Sequence, residues 1–255
     1  MRQGICAGHV CAISLLLLLL GFPANTPAQS PAPAQTPLPP EFVAAMKDAE
    51  QALTSEISRN LTPIREEREC PKPDVCLQWE RGRVLVVYWT SNSSYEEFYK
   101  GKENQFINLD AYTWVTVVPE LRNRCKALGL SGDDLTARLK QLLGLHPFRE
   151  KSQFVEMWVD PRDIFRPCPD PEISDHECET DFSRSRYLSI SLDYIYWYTD
   201  MRDKSYLPDG LPWTRLGYTY DWGNPSNHVG MSEFVIPTGA RVKVREIKKT
   251  ADYCR

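Results

Sequence analysis

Histidine is scarce in this chain, four in 255 residues, and three of them (His146, His176 and His228) follow the N-terminal apolar stretch. No G-x-S-x-G turn is present to hold up a nucleophilic serine. Ser226, Ser232 and Asp221 lie near His228 in sequence, but triads are assembled by the fold and not by neighbours along the chain. Phosphate cradles of the G-x-x-x-x-G-K-[ST] and G-x-G-x-x-G kinds are also missing. No CxxC pair occurs and the cysteine spacings do not suit a zinc finger. Charge of one sign is not in excess: 30 Lys and Arg against 34 Asp and Glu give a net charge of −4, without a basic stripe. Such a chain is a poor candidate for binding nucleic acid or an anionic membrane surface.

Long hydrophobic runs are confined to one place. Arg2 precedes an apolar stretch from Val10 to Phe22 with six consecutive leucines. Small residues and proline follow, and Thr26-Pro27-Ala28 is a plausible cleavage site. This is the pattern of an export signal over residues 1–28. The stretch falls short of the roughly 20 apolar residues of a spanning helix. We therefore expect a secreted or periplasmic protein with no stable membrane insertion after cleavage. Six cysteines remain beyond the signal, and in an exported chain an even number reads as disulfides. Short loops favour Cys70–Cys76 and Cys168–Cys178, leaving Cys125 to tie the C-terminal Cys254.

Residues 29–40, "QSPAPAQTPLPP", carry five prolines and read as an extended linker. The remainder, 41–255, is expected to be a single α+β domain with N-terminal helices and a mostly antiparallel sheet built largely from its C-terminal half. Phe42, Met46, Ala49, Leu53 and Ile57 recur at three- and four-residue steps, predicting a helix over 41–60 that Pro63 stops. "RVLVVYWT" (83–90), "YTWVTVV" (112–118, ended by Pro119), "QFVEMWV" (153–159) and "YLSISL" (187–192) predict strands. Ser131 to Asp134 opens a second helix with Leu135, Leu139 and Leu142 on one face and Gly144 after it. "DYIYWYTDMRDK" favours a helix, and a hairpin around Pro237-Thr238-Gly239 completes the sheet.

Three groups of residues could carry function. In "CPDPEISDHECETDF" (168–182), Asp170, Glu172 and Asp175 are hard oxygen donors on a constrained loop, as calcium prefers. The spacing matches no EF-hand, and a solvated acidic loop is the plainer reading. In "TRLGYTYDW", Tyr218, Tyr220 and Trp222 alternate onto one strand face. Either they pack the sheet, with Arg215 and Asp221 as a strand-end pair, or they form an aromatic platform for a carbohydrate or cell-envelope ligand. In the second case Arg215 meets an anionic group and Asp221 accepts hydroxyl protons.

The third group is Glu233, which opens the apolar run Phe234-Val235-Ile236 before Pro237-Thr238-Gly239. It resembles the catalytic segment of the ADP-ribosyltransferase and NAD-glycohydrolase superfamily, in which a glutamate starts a strand followed by a Pro-x-Gly tail. Tyr187-Leu188-Ser189-Ile190-Ser191 resembles that family's aromatic-hydrophobic-Ser-Thr-Ser strand, and Ser189 lies 44 residues before Glu233. The resemblance implies an NAD-consuming enzyme with NAD as substrate, and no other cofactor is indicated. In it, Glu233 would steady the oxocarbenium-like charge as the glycosidic bond breaks, and Ser189 would orient the carboxylate. Met231 stands where protein-modifying members often carry a second acid, which tilts the implied activity toward NAD hydrolysis or an unusual acceptor over arginine modification. No motif singles out the dinucleotide-binding arginine; Arg83 and Arg149 both lie upstream. The other class of reading is a non-catalytic extracytoplasmic binding module using the aromatic face.

Overall fold

The two strongest apolar runs, Arg83–Thr90 and Gln153–Val159, pair over seven residues as the central antiparallel strands of the fold. The computed structural model describes residues 36–65, 76–182 and 190–255. The signal stretch, most of the proline-rich linker, Cys70, Tyr187 and Ser189 lie outside these. Leu38–Arg255 form one compact unit. Its helices are α1 (Pro40–Ala49), α2 (Asn92–Ser94), α3 (Val118–Ala127), α4 (Gly132–Leu142), α5 (Leu192–Ser205) and α6 (Thr250–Tyr253). Its strands are β1 (Trp79–Glu80), β2 (Arg83–Thr90), β3 (Phe106–Asn108), β4 (Thr113–Val117), β5 (Gln153–Val159), β6 (Tyr218–Tyr220), β7 (Val229–Ser232), β8 (Phe234–Ile236) and β9 (Arg241–Lys249).

The fold is α+β. A seven-stranded antiparallel sheet runs β3-β9-β5-β2-β4-β8, with β1 paired to β2, and β6 and β7 form a separate two-stranded sheet. The segment expected to be a hairpin at Pro237-Thr238-Gly239 is a corner. β8 pairs with β4 and β9 pairs with β3 and β5, so β9 does not fold back on β8. One register runs through the corner: Phe106 faces Lys243, Val115 faces Phe234, and between them Leu109 exchanges backbone bonds with Gly239 and Ala240. Two long bent strands therefore travel together and curl the sheet into a barrel-like ring. Gly239 supplies the positive φ of 84° that the corner uses.

Both faces of β2 and β5 are buried, which is why their sequences are continuous rather than alternating. Val84, Val86, Val155, Met157 and Val159 fill the interior with residues of β4, β8 and β9. Leu85, Val87, Trp89, Phe154 and Trp158 face outward beneath α3, α4 and α6. Glu156 shares that outer face, fully buried, with Arg122 and Arg245 on either side of its carboxylate. Cys125 and Cys254 are disulfide-bonded across a separation of 129 residues, and Cys168 and Cys178 across 10.

Several expectations need correction. The first helix ends at Ala49, because Arg215 caps its last carbonyls, donating to Ala49 O and Glu50 O at 3.3 and 2.7 Å; Leu53 is left exposed. Pro119 does not stop β4 in a turn but sits in the first turn of α3, where its missing N–H costs nothing. The strand expected over 187–192 does not reach its end: Ser191 caps and Leu192 begins α5, Ser191 Oγ accepting from Tyr194 N.

Candidate functional site

Glu233 lies between β7 and β8, and the neighbouring residues fix where it points. Phe234 and Ile236 turn into the barrel interior, so strand alternation sends Glu233 to the opposite face, beside Trp114 and Thr116 of β4. Its backbone N–H donates to Gly217 O at 2.9 Å. One residue earlier, Ser232 N and Oγ donate to the buried carboxylate of Glu120 at 3.0 and 3.2 Å, and Thr62 Oγ1 donates to the other Glu120 oxygen at 2.9 Å. Gly217 makes this junction feasible. It has a φ of 73°, and a Cβ there would sit 2.6 Å from Cys178 Sγ and 2.7 Å from Arg166 Cδ.

The Glu233 side chain lines two adjoining cavities, of about 200 and about 90 Å3. Both also touch Trp114, Leu143, Leu145, Leu211 and Thr219. The larger lobe is walled by Val87, Tyr88, Trp89 and Tyr112 as well, and the smaller by Trp213. Trp114 meets Trp213 edge-on at 5.6 Å and Trp197 at 6.2 Å, so its indole is held from behind. In this apolar surround, three polar atoms have no hydrogen-bond partner among the described residues: Glu233 Oε2, Thr116 Oγ1 and Trp213 Nε1. Burial raises the Glu233 pKa to about 8, so the carboxyl is largely protonated at neutral pH. A protonated carboxyl in a dry cleft is a hydrogen-bond donor and a candidate general acid.

Basic groups come from the loop that leads from α4 into β5. His146, Arg149 and Lys151 all line the larger lobe. Lys151 Nζ donates to Trp89 O at 2.8 Å and lies 5.4 Å from the Tyr88 ring centre. Burial, reinforced by nearby Arg149, pulls its pKa down to about 8. Burial also lowers the pKa of His146, with Arg149 adding to it.

The other candidate residues are placed as follows. Tyr218 is fully buried, its hydroxyl donating to Glu56 O at 2.9 Å and lying 3.2 Å from His228 Nε2. Tyr220 donates to Asp48 of α1 at 2.8 Å, and Trp222 donates to Leu145 O at 3.2 Å while packing on Phe42. Of the expected aromatic platform, Tyr218 is covered by the chain that follows α1, while Tyr220 and Trp222 are half-buried against α1. Arg215 and Asp221 are not a pair. Asp221, also buried, takes a bidentate contact from Arg138 of α4 at 2.8 and 2.6 Å. Sequence reasoning did not pair these because 83 residues separate them.

The acidic loop is organised around a buried cation of its own. Arg166 donates to Glu172 O at 3.2 Å and Asp175 O at 2.9 Å, with longer contacts to Thr62 O and Ile173 O. Asp170, Glu172 and Asp175 accept from nearby backbone N–H groups and shape the loop. They do not gather as calcium ligands. Among the described residues, the group whose ligand atoms approach one another closely enough for a metal is Asp48, Glu56 and His228. Ser189 lies outside the described residues, so its distance to Glu233 is not described.

Leu143, Leu145 and Leu211 went unnoticed as cleft residues, since nothing in their sequence context separates a cavity wall from a core. Thr116 was equally hidden within a strand. Compared with models of protein families, with curated proteins and with solved structures, the chain matches none.

Proposed function

We propose that this protein binds a small, flat organic ligand in the Glu233 cleft, with Glu233 and Thr116 reading its polar edge. The observation that carries this reading is the set of buried, unpartnered polar atoms, Glu233 Oε2 and Thr116 Oγ1 among them, in a cavity walled by tryptophan and tyrosine. Leaving a buried polar atom unsatisfied costs about 1–3 kcal/mol, a cost that a ligand presenting an acceptor to Glu233 and a donor or acceptor to Thr116 would offset. A cavity of about 200 Å3 suits one or two fused rings; for comparison, an engineered cavity of roughly 150 Å3 takes up benzene. Among the described residues no helix is long and apolar enough to cross a membrane, and the disulfides fit an oxidising compartment. We place the protein outside the cytoplasm on the strength of its N-terminal sequence pattern.

The catalytic form of this proposal is NAD glycohydrolysis, favoured by the position of Glu233 at the head of β8 with its side chain in a cleft and not in bulk water. The aromatic walls would accept a cationic nicotinamide ring. Such a cation would draw the proton off Glu233, turning a neutral acid into the anion that the chemistry needs at the oxocarbenium stage. The test is release of nicotinamide from NAD by the purified protein, compared with Glu233→Gln and with thermal shifts on adding NAD. Release abolished by Glu233→Gln supports the enzyme. No release together with no thermal shift removes NAD and leaves a binding protein.

A further inference from the structure

We infer that the ligand of the Glu233 cleft is an anion at its outer end, an aromatic carboxylate or phosphate, and that Lys151 with Arg149 selects for it. This rests on the ligand-site reading above and adds the ligand's chemical class.

The argument is one of charge distribution inside a single cleft. Two groups that carry positive charge, Lys151 and Arg149, line the larger lobe together with His146. The hydrogen bonds of the two cations go to backbone carbonyls, Lys151 to Trp89 O and Arg149 to Asp209 O at 2.9 Å. Neither is ion-paired with a carboxylate among the described residues. The nearest acid along the chain, Glu150, accepts from Asn92 N at 2.7 Å; its charge reaches Lys151 without forming an ion pair with it. His146 Nδ1 accepts from Phe148 N at 3.2 Å. Among the described residues, the one acidic side chain that lines the cleft is Glu233, and burial keeps it largely protonated at neutral pH. The lobe therefore presents net positive charge against apolar walls. A half-buried ammonium between Trp89 and Tyr88 gains from an anion placed beside it, because a surround of low dielectric strengthens the pairing. Its ring contact with Tyr88 also holds the ammonium in place, so less side-chain freedom is lost on pairing. The fork of Arg149, on an exposed stretch, suits a planar carboxylate or a phosphate equally. The remaining wall, Trp114, Tyr112 and Leu145, asks for an aromatic body.

The experiment uses three probes that share one ring system: 2-naphthoate, 2-naphthyl phosphate and 2-naphthamide. Binding to the purified, disulfide-bonded protein is followed by calorimetry at neutral pH. At least one anionic probe is expected to bind about tenfold or more tightly than the amide, the equivalent of about 1.4 kcal/mol. Which of the two binds better separates carboxylate from phosphate. Lys151→Gln is expected to close the gap, and a far-ultraviolet circular dichroism spectrum matching the parent's reports that the protein is still folded. Arg149→Gln, at an exposed position, should narrow the gap. Raising the salt should weaken only the anions. Equal affinity for all three probes overturns the selection while leaving the cleft as a ligand site. A gap that survives both substitutions overturns the assignment to these two residues. Failure of all three probes to bind overturns the ligand-site reading and this inference with it.

Discussion

Replacing Glu233 with glutamine should make the protein more stable, and increasingly so as the pH rises. The carboxyl has its pKa raised by burial from 4.5 to about 8, whereas in the unfolded chain it ionises near the ordinary value. Between those limits the native state holds a proton that the unfolded state has released. Stability is therefore highest at and below about pH 4.5 and falls as the pH climbs toward 8. Each unit of that window is worth about 1.4 kcal/mol, so the upper limit at pH 7 is about 3 kcal/mol. Glu233 is half-buried as a residue although its Oε2 is fully buried, so the effect falls below that limit. Glutamine keeps the shape and removes the ionisation, so the stability difference between variant and parent should be near zero at pH 4.5 and grow to roughly 1–3 kcal/mol at pH 7. Urea denaturation at half-unit intervals from pH 4.5 to 8, with disulfides intact, measures it, and the other titrating groups cancel in the difference. A difference that stays flat across the range would refute the claim that this carboxyl sits in a dry cleft.

Further expectations concern the frame of the site. Arg166→Met strips the acidic loop of the cation that its carbonyls surround. It should lower stability by about 3 kcal/mol and speed amide exchange at Asp175 to Cys178, seen by hydrogen exchange. Asp221→Asn leaves the Arg138 guanidinium without its charge partner and should cost about 3–5 kcal/mol in chemical denaturation; a loss under 1 kcal/mol would mean that the pair is well hydrated. Cys125→Ser with Cys254→Ser opens a loop of 129 residues and should cost about 4–5 kcal/mol in the chain-entropy view, read as a lower urea midpoint. Glu233→Gln should abolish any nicotinamide release from NAD, and Lys151→Gln should selectively weaken anionic aromatic ligands.

Local pattern carried much of the fold. The continuous apolar runs of β2 and β5 were legible because a strand buried on both faces needs no polar alternation, and their limits match the sequence reading. The Leu135, Leu139 and Leu142 face of α4 is buried as its spacing implies. Both described disulfides follow the spacing argument. Where the reading failed, a long-range contact had overridden a local signal. Arg215 ends α1 from 165 residues away. A Pro-x-Gly step that looks like a hairpin turn is a corner, because β4 and β3 capture β8 and β9 before they can pair with each other. The alternating aromatics of β6 suggested an open face, but α1 lies over it, and alternation records which side chains share a face without recording what covers it.

For the candidate site the division is similar. Glu233 could be singled out from sequence as an acid heading an apolar strand, since strand alternation dictates that it faces away from Phe234 and Ile236. That the opposite face is a cleft depends on Trp114, Leu145, Leu211 and Lys151 converging from three separate segments, and no periodicity encodes such convergence. The sequence by itself determined the central strands β2 and β5, the buried face of α4 and the two described disulfides, because those follow from neighbours a few residues apart and from how the cysteines are spaced. Only the tertiary structure decided that Glu233 is dry, that Asp221 belongs to Arg138 and that the acidic loop encloses an arginine, because burial and charge partners are set by residues distant along the chain.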